Sequence, residues 1–319
     1  MSAEFRLSFR CFGSTCAVVV AGGDAAGAAR AARASLLEWH ERFTRFDPGS
    51  ELSALNADPR PAVEVSPLMA RFAAAVVYAA DRTGGLVDAT LLPELEDAGY
   101  RRDLRAPLPL ALALRLAPRR RPAGPRRDAR WRKLSVDGTI VRRPPGVTVD
   151  SGGLAKGLFA DVLADRLAGH DAFAIDCAGD VRIGGAAGAP RRVVVESPFE
   201  RATLHTFELT AGAAATTGIG RRSWLDARGA PAHHLLDPAT GRPAFTGIVQ
   251  VTALAPTALE AEIRAKAAAL SGPDRAAEWL PDGGVVVRDD GSAEVLSAAR
   301  RARAAAARSP DRAARPSAA

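Results

Sequence analysis

The segment at 150–157 combines a carboxylate, adjacent glycines and a lysine just before a run with helical spacing. It reads DSGGLAKG and follows a strand-like stretch at 147–149. Glycines before a helix let a bulky anion approach the backbone, and the first N–H groups of the helix point toward that anion. Lys156 adds a compact positive charge. The pattern favours a phosphate-bearing ligand, although on its own it fits a plain turn and a solvated lysine equally well.

A second polar segment, at 233–243, reads HHLLDPATGRP. Asp-Pro-x-Thr-Gly is a good β-turn by itself, because proline fixes φ and glycine accepts a left-handed conformation. His233 and His234 precede the turn, and only one of them can face a given side of a strand. That histidine could be an acid, a base or a phosphate hydrogen-bond donor, whereas a lone strand histidine is more often structural. The choice between the two histidines stays open.

The composition is that of a globular chain with an uneven basic charge. Of 319 residues, 47% are hydrophobic and 25% are charged, as in ordinary globular proteins. The net charge of +7 comes mainly from arginine clusters at 118–133 and 300–315. These clusters lack the aromatic residues of a stacking platform and any recognisable DNA-binding motif, so no nucleic-acid partner is predicted.

The cysteines and the apolar runs of the sequence indicate which compartment and which structural sites to expect. Cys11, Cys16 and Cys177 are too few and too irregularly spaced for a disulfide framework or a closed zinc site. No run approaches the roughly 20 apolar residues of a membrane span, and the first residues lack a signal-peptide pattern. We therefore expect a cytoplasmic protein with no membrane span.

Periodicity and turn residues predict an α+β protein. Strands dominate the second half but do not alternate steadily with helices. We expect one domain over residues 1–297, carrying a basic, Pro/Arg-rich surface insertion at 104–133, and a disordered tail at 298–319. Helices are predicted at about 25–43, 68–82 and 258–270. A further helix is predicted from the turn at Gly152 and Gly153 to about 167. Strands are predicted at about 172–176, 192–196, 204–209 and 248–254.

The order of four motifs resembles the ApbE family of FAD:protein FMN transferases. The motifs are DSGGLAKG, AIDCAGDVRIGG, ATTGIGRRSW and HHLLDPATGRP, and the similarity extends upstream to 12–15, 43–56 and 83–90. It covers roughly residues 10–290 without the insertion. The resemblance implies an ApbE-like mixed sheet-and-helix domain with the ligand cleft between its two halves, and FAD as the substrate.

The resemblance also implies roles for individual residues. His234 and Lys156 match the active centre near the pyrophosphate, and Phe46 matches an aromatic contact to the flavin nucleotide. The complete set of implied FAD contacts is Phe12, Phe46, Val87, Asp88, Ala89, Asp150, Lys156 and Leu235.

A magnesium ion is implied as well, and here the sequence departs from the family pattern. Gly153, Glu262 and Ala265 match the metal ligands, but Lys266 occupies the position of the usual threonine ligand. A glutamate can replace an aspartate as ligand, whereas a protonated lysine cannot ligate a metal. Either Lys266 is a catalytic residue that neutralises phosphate in place of the metal, or it pairs with Glu262 in a degenerate site that binds flavin without turnover.

The implied reaction transfers FMN from FAD to a threonine of a client flavoprotein and releases AMP. The client would carry an acceptor motif similar to Ser/Thr-Gly-Ala-Thr. Two alternatives stay open at this stage. One is FAD hydrolysis, with water in place of the threonine, and the other is a flavin-binding or storage protein.

Overall fold

The structure, a computed structural model, describes residues 3–102, 104 and 106–297. The predicted disordered tail at 298–319 lies outside the described residues. The helices are α1 Ala25–Phe43, α2 Glu51–Ala57, α3 Pro67–Arg82, α4 Leu92–Asp97, α5 Leu110–Leu116, α6 Ala155–Leu167 and α7 Ala258–Ser271. The strands are β1 Glu4–Cys11, β2 Ser14–Ala21, β3 Ala62–Glu64, β4 Ser135–Asp137, β5 Ile140–Arg142, β6 Ala172–Cys177, β7 Asp180–Gly184, β8 Arg191–Glu196, β9 Thr203–Leu209, β10 Gly212–Gly218, β11 Ser223–Leu225, β12 Pro231–His233, β13 Leu236–Asp237, β14 Arg242–Pro243, β15 Ile248–Ala255, β16 Gly283–Arg288 and β17 Ala293–Ser297.

A large antiparallel sheet organises the described chain. Its strand order is β1-β2-β6-β7-β10-β15-β16-β17, and every neighbouring pair is antiparallel. Strands β8 and β9 form a separate hairpin, and β3, β5 and β4 form a small sheet. The mixture of helices and antiparallel strands confirms the predicted α+β class. The predicted helices correspond to α1, α3, α6 and α7, and the predicted strands to β6, β8, β9 and β15.

Three helices pack on the main sheet and complete its core. Helix α1 packs on β1 and β2, α6 on β6 and β7, and α7 on β10 and β15. Phe159 of α6 and Ile263 of α7 are fully buried members of one continuous cluster that also includes residues of α1 and α3. None of the helices in the described ranges is long and apolar enough to cross a membrane.

Helices α6 and α7 approach closely and cap one another. A Cβ at Gly157 would lie 2.7 Å from the carbonyl oxygen of Ala258, so only glycine fits this contact. The Asp161 carboxylate on α6 accepts hydrogen bonds from the first N–H groups of α7, those of Ala258 and Leu259, at 2.8 and 2.9 Å. In return, Glu262 on α7 accepts the N–H of Gly157 in the first turn of α6 at 3.0 Å. These bonds use N–H groups that a helix leaves unpaired, and they fix the position of one helix relative to the other.

The segment predicted as a surface insertion, 104–133, is attached to the body of the domain through its backbone. The N–H of Ala123 donates to the carbonyl of Leu270 at 2.9 Å. The N–H of Gly124 donates to Asp237, the aspartate of the Asp-Pro turn, also at 2.9 Å. The sequence prediction did not anticipate these bonds, because backbone pairing across more than 100 residues leaves no local sequence signal.

Candidate active site

Two tight hairpin turns mark the end of the main sheet at which the site lies. Phe12 and Gly13 join β1 to β2, and Ala178 and Gly179 join β6 to β7; all four have positive φ, from 54° to 101°. Positive φ at both central residues is the type I′ pattern that suits two-residue hairpins. Because β2 and β6 are antiparallel neighbours, both turns lie at the same end of the sheet.

Most of the residues that the sequence predicted for the site line one cavity of about 90 Å³. They come from the 87–89 segment, from the glycine turn before α6, from the 234–236 segment and from α7. The predicted residues in this wall are Val87, Asp88, Ala89, Asp150, Gly153, His234, Leu235 and Lys266. We call it the inner cavity.

A second cavity, of about 310 Å³, adjoins the first, because Asp150 lines both. We call it the outer cavity. The other predicted residues in its wall are Phe12, Phe46 and Lys156, and Arg222 lines it as well. Of the remaining predicted residues, Glu262 and Ala265 are buried within α7. The glycine turn that precedes α6 therefore separates two connected spaces.

One carboxylate in the wall of the inner cavity, that of Asp88, has an oxygen without a hydrogen-bond partner among the described residues. Asp88 Oδ1 accepts hydrogen bonds from the N–H and the hydroxyl of Thr90 at 2.8 and 2.6 Å. The other oxygen, Oδ2, is buried and has no hydrogen-bond partner among the described residues. Burial raises the pKa of Asp88, and the bonds from Thr90 oppose that rise only in part. A buried acceptor of this kind can bind an N–H donor of a ligand.

Asp150 lies between the cavities and is held on both oxygens. Arg45 Nε contacts Oδ1 at 3.1 Å, and the N–H of Gly152 donates to Oδ2 at 3.0 Å. The Arg45 guanidinium also lies 4.4 Å from the ring centre of Phe46 and 4.7 Å from that of Tyr100. Phe46 keeps 41% of its surface exposed at the rim of the outer cavity. An exposed aromatic ring fixed by a cation can stack on a flat ligand ring.

Behind the glycine turn lies a buried cluster of two lysines and two carboxylates. The Lys156 ammonium forms a direct ion pair with Asp180 and lies 3.5 Å from Glu262 Oε1. Lys266 Nζ lies 3.1 Å from the same Glu262 oxygen. The other Glu262 oxygen accepts the N–H of Gly157. The Asp180 and Glu262 side chains are only 2% exposed, so the cluster is largely shielded from water.

Burial and the neighbouring charges together set the pKa values of Lys156, Asp180 and Glu262. Burial opposes the charged form of Lys156, but the carboxylates of Asp180 and Glu262 raise its pKa above the ordinary value. Burial raises the pKa of Asp180 to about 6 although Lys156 lies beside it. Burial by itself would raise the pKa of Glu262, but the ammonium groups of Lys266 and Lys156 lower that pKa overall. Lys156 and Glu262 are therefore ionised at neutral pH.

The structure resolves which histidine faces the ligand space. His234 lines the inner cavity. His233 is 1% exposed, packs edge-on against Phe245 at 4.7 Å between ring centres, and accepts the N–H of Leu235 on Nδ1 at 3.3 Å. Burial lowers the pKa of His233 to about 3, so it is a neutral core residue. His234 is the histidine that can take part in chemistry.

His234 is arranged as a neutral proton acceptor. Its Nδ1 lies 3.4 Å from the backbone carbonyl of Arg222, and a carbonyl can only accept, so Nδ1 carries the proton. Nε2 then has the lone pair. Burial, followed by the charge of Arg222, lowers the pKa of His234 well below the ordinary value. A neutral imidazole with a lone pair on Nε2 can accept a proton, but the lowered pKa makes it a weaker base than an ordinary histidine.

Two residues of the site had no role in the sequence prediction. Arg222 donates to the Phe12 carbonyl at 3.4 Å, and no carboxylate in the described part of the chain lies within ion-pair distance of it. Asp180, the first residue of β7, pairs with Lys156 in the first turn of α6. Both residues lie inside motifs that carry the family resemblance. Their partners could not be predicted from the sequence, because each pairing joins distant segments.

The donor set does not fit the magnesium ion that the family resemblance implies. No group of three or more His, Cys, Asp or Glu side chains suitable for a metal occurs in residues 3–102, 104 and 106–297. Both Glu262 oxygens already accept from N–H donors, and Lys266 Cε lies 3.3 Å from the position of a Cβ on Gly153. A divalent cation about 4 Å from the ammonium would meet a repulsion of about 8 kcal/mol at an effective dielectric constant of about 20. The lysine thus occupies the space between the glycine turn and Glu262.

Comparison with known sequences agrees with this geometry. A profile of the ApbE family matches residues 12–287. This chain belongs to the ApbE family. The FAD:protein FMN transferase of Rhodobacter capsulatus is 28% identical over 270 residues, which are 80% of this chain and 49% of the relative. That of Vibrio cholerae serotype O1 is 30% identical over 178 residues, 52% of this chain and 53% of the relative. This ApbE chain therefore spans about half the length of these two relatives.

Solved structures share the fold over nearly the whole chain. The ApbE protein of Thermotoga maritima has a TM-score of 0.76 and 25% identity, covering 94% of this chain and 99% of that chain. The apo form of the flavinyl transferase ApbE of Pseudomonas stutzeri has a TM-score of 0.74 and 21% identity, covering 94% and 96%. The ApbE fold predicted from the motifs is confirmed.

Proposed function

We propose that this protein transfers the FMN moiety of FAD to a threonine hydroxyl of a client flavoprotein and releases AMP. The observation that carries the proposal is the placement of a neutral base, His234, and three cationic side chains around the glycine turn where two cavities meet. Membership of the ApbE family and relatives named FAD:protein FMN transferase support the same reaction.

FAD has two ring systems joined by a diphosphate, and the two connected cavities suit that shape. In this proposal the adenosine part enters the inner cavity, and a small movement of the Asp88 side chain would present its buried, unpaired Oδ2 to an N–H of the ligand. The flavin part lies in the outer cavity against the exposed face of Phe46. The diphosphate then lies at the glycine turn, next to the first N–H groups of α6, where anions are stabilised.

The chemical step is an in-line displacement at the FMN phosphorus. The threonine Oγ forms a new bond to that phosphorus, and the bond from phosphorus to the oxygen of AMP breaks. The hydroxyl proton passes to His234 Nε2, and AMP leaves with the electron pair of the broken bond. Catalysis of phosphoryl transfer consists mostly of positioning and charge stabilisation, and Arg222 and Lys156 lie beside the outer cavity for that purpose.

The client, the compartment and the extent of the domain are also part of the proposal. The client is a protein with a threonine acceptor motif. A reducing, cytoplasmic compartment is supported by Cys11, Cys16 and Cys177, which are all free and buried. We further propose that residues 1–297 act as one transferase domain.

The test combines the purified protein, FAD and an acceptor peptide containing the threonine motif. AMP release together with a covalent flavin on the peptide, detected by mass spectrometry, supports the transferase. A matched peptide with valine in place of the threonine should remain unmodified, because it lacks the nucleophile. AMP formed equally fast with no peptide present would indicate hydrolysis of FAD instead. Flavin binding without any AMP would indicate a storage protein.

A further inference from the structure

We propose that Lys266 is a catalytic residue whose ammonium group binds the diphosphate of the dinucleotide, so that this protein needs no divalent cation. The inference rests on the proposed transferase function and identifies how the site handles charge. Phosphoryl transfer requires neutralisation of the negative oxygens around the reacting phosphorus. In this chain the groups available for that task are side-chain cations.

The first support is the position of Lys266. Its side chain lines the inner cavity together with Asp150, Gly153 and His234. Its Cε lies 3.3 Å from the position that a Cβ on Gly153 would take, so a larger residue at 153 would crowd the lysine side chain. The glycine turn and Lys266 thus form opposite sides of one narrow space. A diphosphate at this turn would meet the ammonium directly.

The second support is the set of groups that contact the carboxylate oxygens of Glu262, the residue that matches a metal ligand. Lys266 Nζ lies 3.1 Å from one of its oxygens, and the N–H of Gly157 donates to the other at 3.0 Å. Lys156 approaches the first oxygen as well, at 3.5 Å. Oε1 is thus approached by two ammonium groups, which would repel a metal ion bound at that oxygen. Glu262 therefore fixes the ammonium group in place.

The third support comes from how the chain uses lysine. Only three of its 43 basic residues are lysines, and the other 40 are arginines. Two of the three, Lys156 and Lys266, lie at this site, while Lys133 is exposed on a short 3-10 helix. A surface i,i+4 pair does not require lysine, since Arg42–Glu38, Arg101–Asp97 and Arg264–Glu260 are all built with arginine.

Lysine and arginine differ in a way that suits this space. Lysine carries a compact charge on a flexible chain, whereas the guanidinium of arginine is a wide planar fork. An ammonium group needs less room than a guanidinium beside the Gly153 turn, where Lys266 Cε already lies 3.3 Å from the position of a Cβ on Gly153. A Mg²⁺ ion is also a compact cation, so the ammonium offers phosphate a comparable, if weaker, point charge.

The first experiment uses the wild-type protein and therefore does not depend on the folding of a variant. After removal of metals, AMP release and peptide flavinylation are measured in EDTA and in millimolar Mg²⁺. We expect equal rates in both conditions. Activity that is lost in EDTA and restored by Mg²⁺ would overturn the proposal. Absence of AMP in both conditions would instead refute the transferase function, and the binding experiment below then decides the role of Lys266.

The second experiment compares Lys266→Met and Lys266→Thr with the matched control Lys133→Met. In EDTA we expect both Lys266 variants to lose about 10²- to 10³-fold in kcat, as when one transition-state donor is removed, while the control keeps the wild-type rate. Lys266→Thr should regain activity in Mg²⁺, because threonine restores an oxygen donor in place of the charge. Full activity of Lys266→Met in EDTA would overturn the proposal.

The third experiment measures binding of ADP, a diphosphate probe that cannot donate FMN. We expect Lys266→Met to weaken ADP binding in EDTA about 10- to 100-fold relative to Lys133→Met, the effect of losing one charged hydrogen bond. Circular dichroism establishes that each variant is folded before it is titrated. Equal ADP affinity in the two folded variants would show that Lys266 does not contact the diphosphate.

Discussion

Replacement of Lys156 by methionine should destabilise the fold in a pH-dependent manner. The ammonium pairs directly with Asp180 and lies 3.5 Å from Glu262 Oε1. Methionine has a similar length but no charge, so the Asp180 carboxylate would remain buried without its main partner. Removing one member of a buried ion pair is usually costly, because the other charge is left uncompensated in a poorly solvated place.

The magnitude follows from the titration of Asp180. Burial raises its pKa to about 6 with Lys156 present. A carboxyl with a raised native pKa favours folding at low pH, and this contribution is lost as the pH rises through the native pKa. Without Lys156 the pKa of Asp180 in the folded protein lies higher still. The folded variant therefore keeps a proton on Asp180 that the folded wild type releases above about pH 6. The destabilisation should therefore grow by about 1.4 kcal/mol per pH unit above that point.

Urea unfolding followed by tryptophan fluorescence at pH 6, 7 and 8 measures this difference. The loss of unfolding free energy in Lys156→Met should be about 2 kcal/mol larger at pH 8 than at pH 6. The double variant Lys156→Met/Asp180→Asn removes the unpaired carboxylate as well, and its destabilisation should not change with pH. A loss that is the same at pH 6 and pH 8 in the single variant would refute the reasoning, because lost packing alone does not depend on pH.

Four further outcomes are expected, at His234, Phe46 and Gly157. His234→Gln should lower kcat for AMP release about 10²- to 10⁴-fold while FAD titrations give the wild-type affinity; a wild-type rate in this variant would exclude His234 as the base. Because the pKa of His234 lies well below its ordinary value, the wild-type rate should not fall through loss of this base between pH 7.5 and pH 6. Phe46→Ala should weaken FAD binding about tenfold without changing thermal stability, while Phe46→Tyr should bind normally. Gly157→Ala should lower the unfolding free energy by about 1–3 kcal/mol, since the added Cβ would lie 2.7 Å from the Ala258 carbonyl oxygen; an unchanged denaturation midpoint would contradict the close helix contact.

Much of the site could be predicted from sequence, because its residues lie in short motifs with local geometry. The glycines at 152 and 153 come before a helix, an order that favours an anion near Lys156 but on its own fits a plain turn equally well. The Asp-Pro turn likewise predicts that a histidine just before it is held in a defined place. In both segments the local backbone rules and the tertiary structure agree, and residues of both motifs line the inner cavity.

Other features depend on contacts between distant segments, and these could not be predicted. His233 and His234 are chemically identical, and only the packing of Phe245 shows that the first is a core residue. The pairing of Asp180 with Lys156 spans a helix and a strand, so neither residue identifies the other in the sequence. The 104–133 segment has the composition of a loose loop, yet its backbone bonds to Asp237 and Leu270 attach it to the domain.

The reciprocal capping of α6 and α7 links the two lysines into one unit. Glu262 holds the N–H of Gly157, one residue after Lys156, and also holds Lys266, which is one turn further along α7. Asp161 closes the other end of the contact by accepting the first N–H groups of α7. A shift of either helix would therefore move both ammonium groups relative to the glycine turn. The contacts that stabilise the packing of these helices therefore also place the positive charge that the proposed reaction needs.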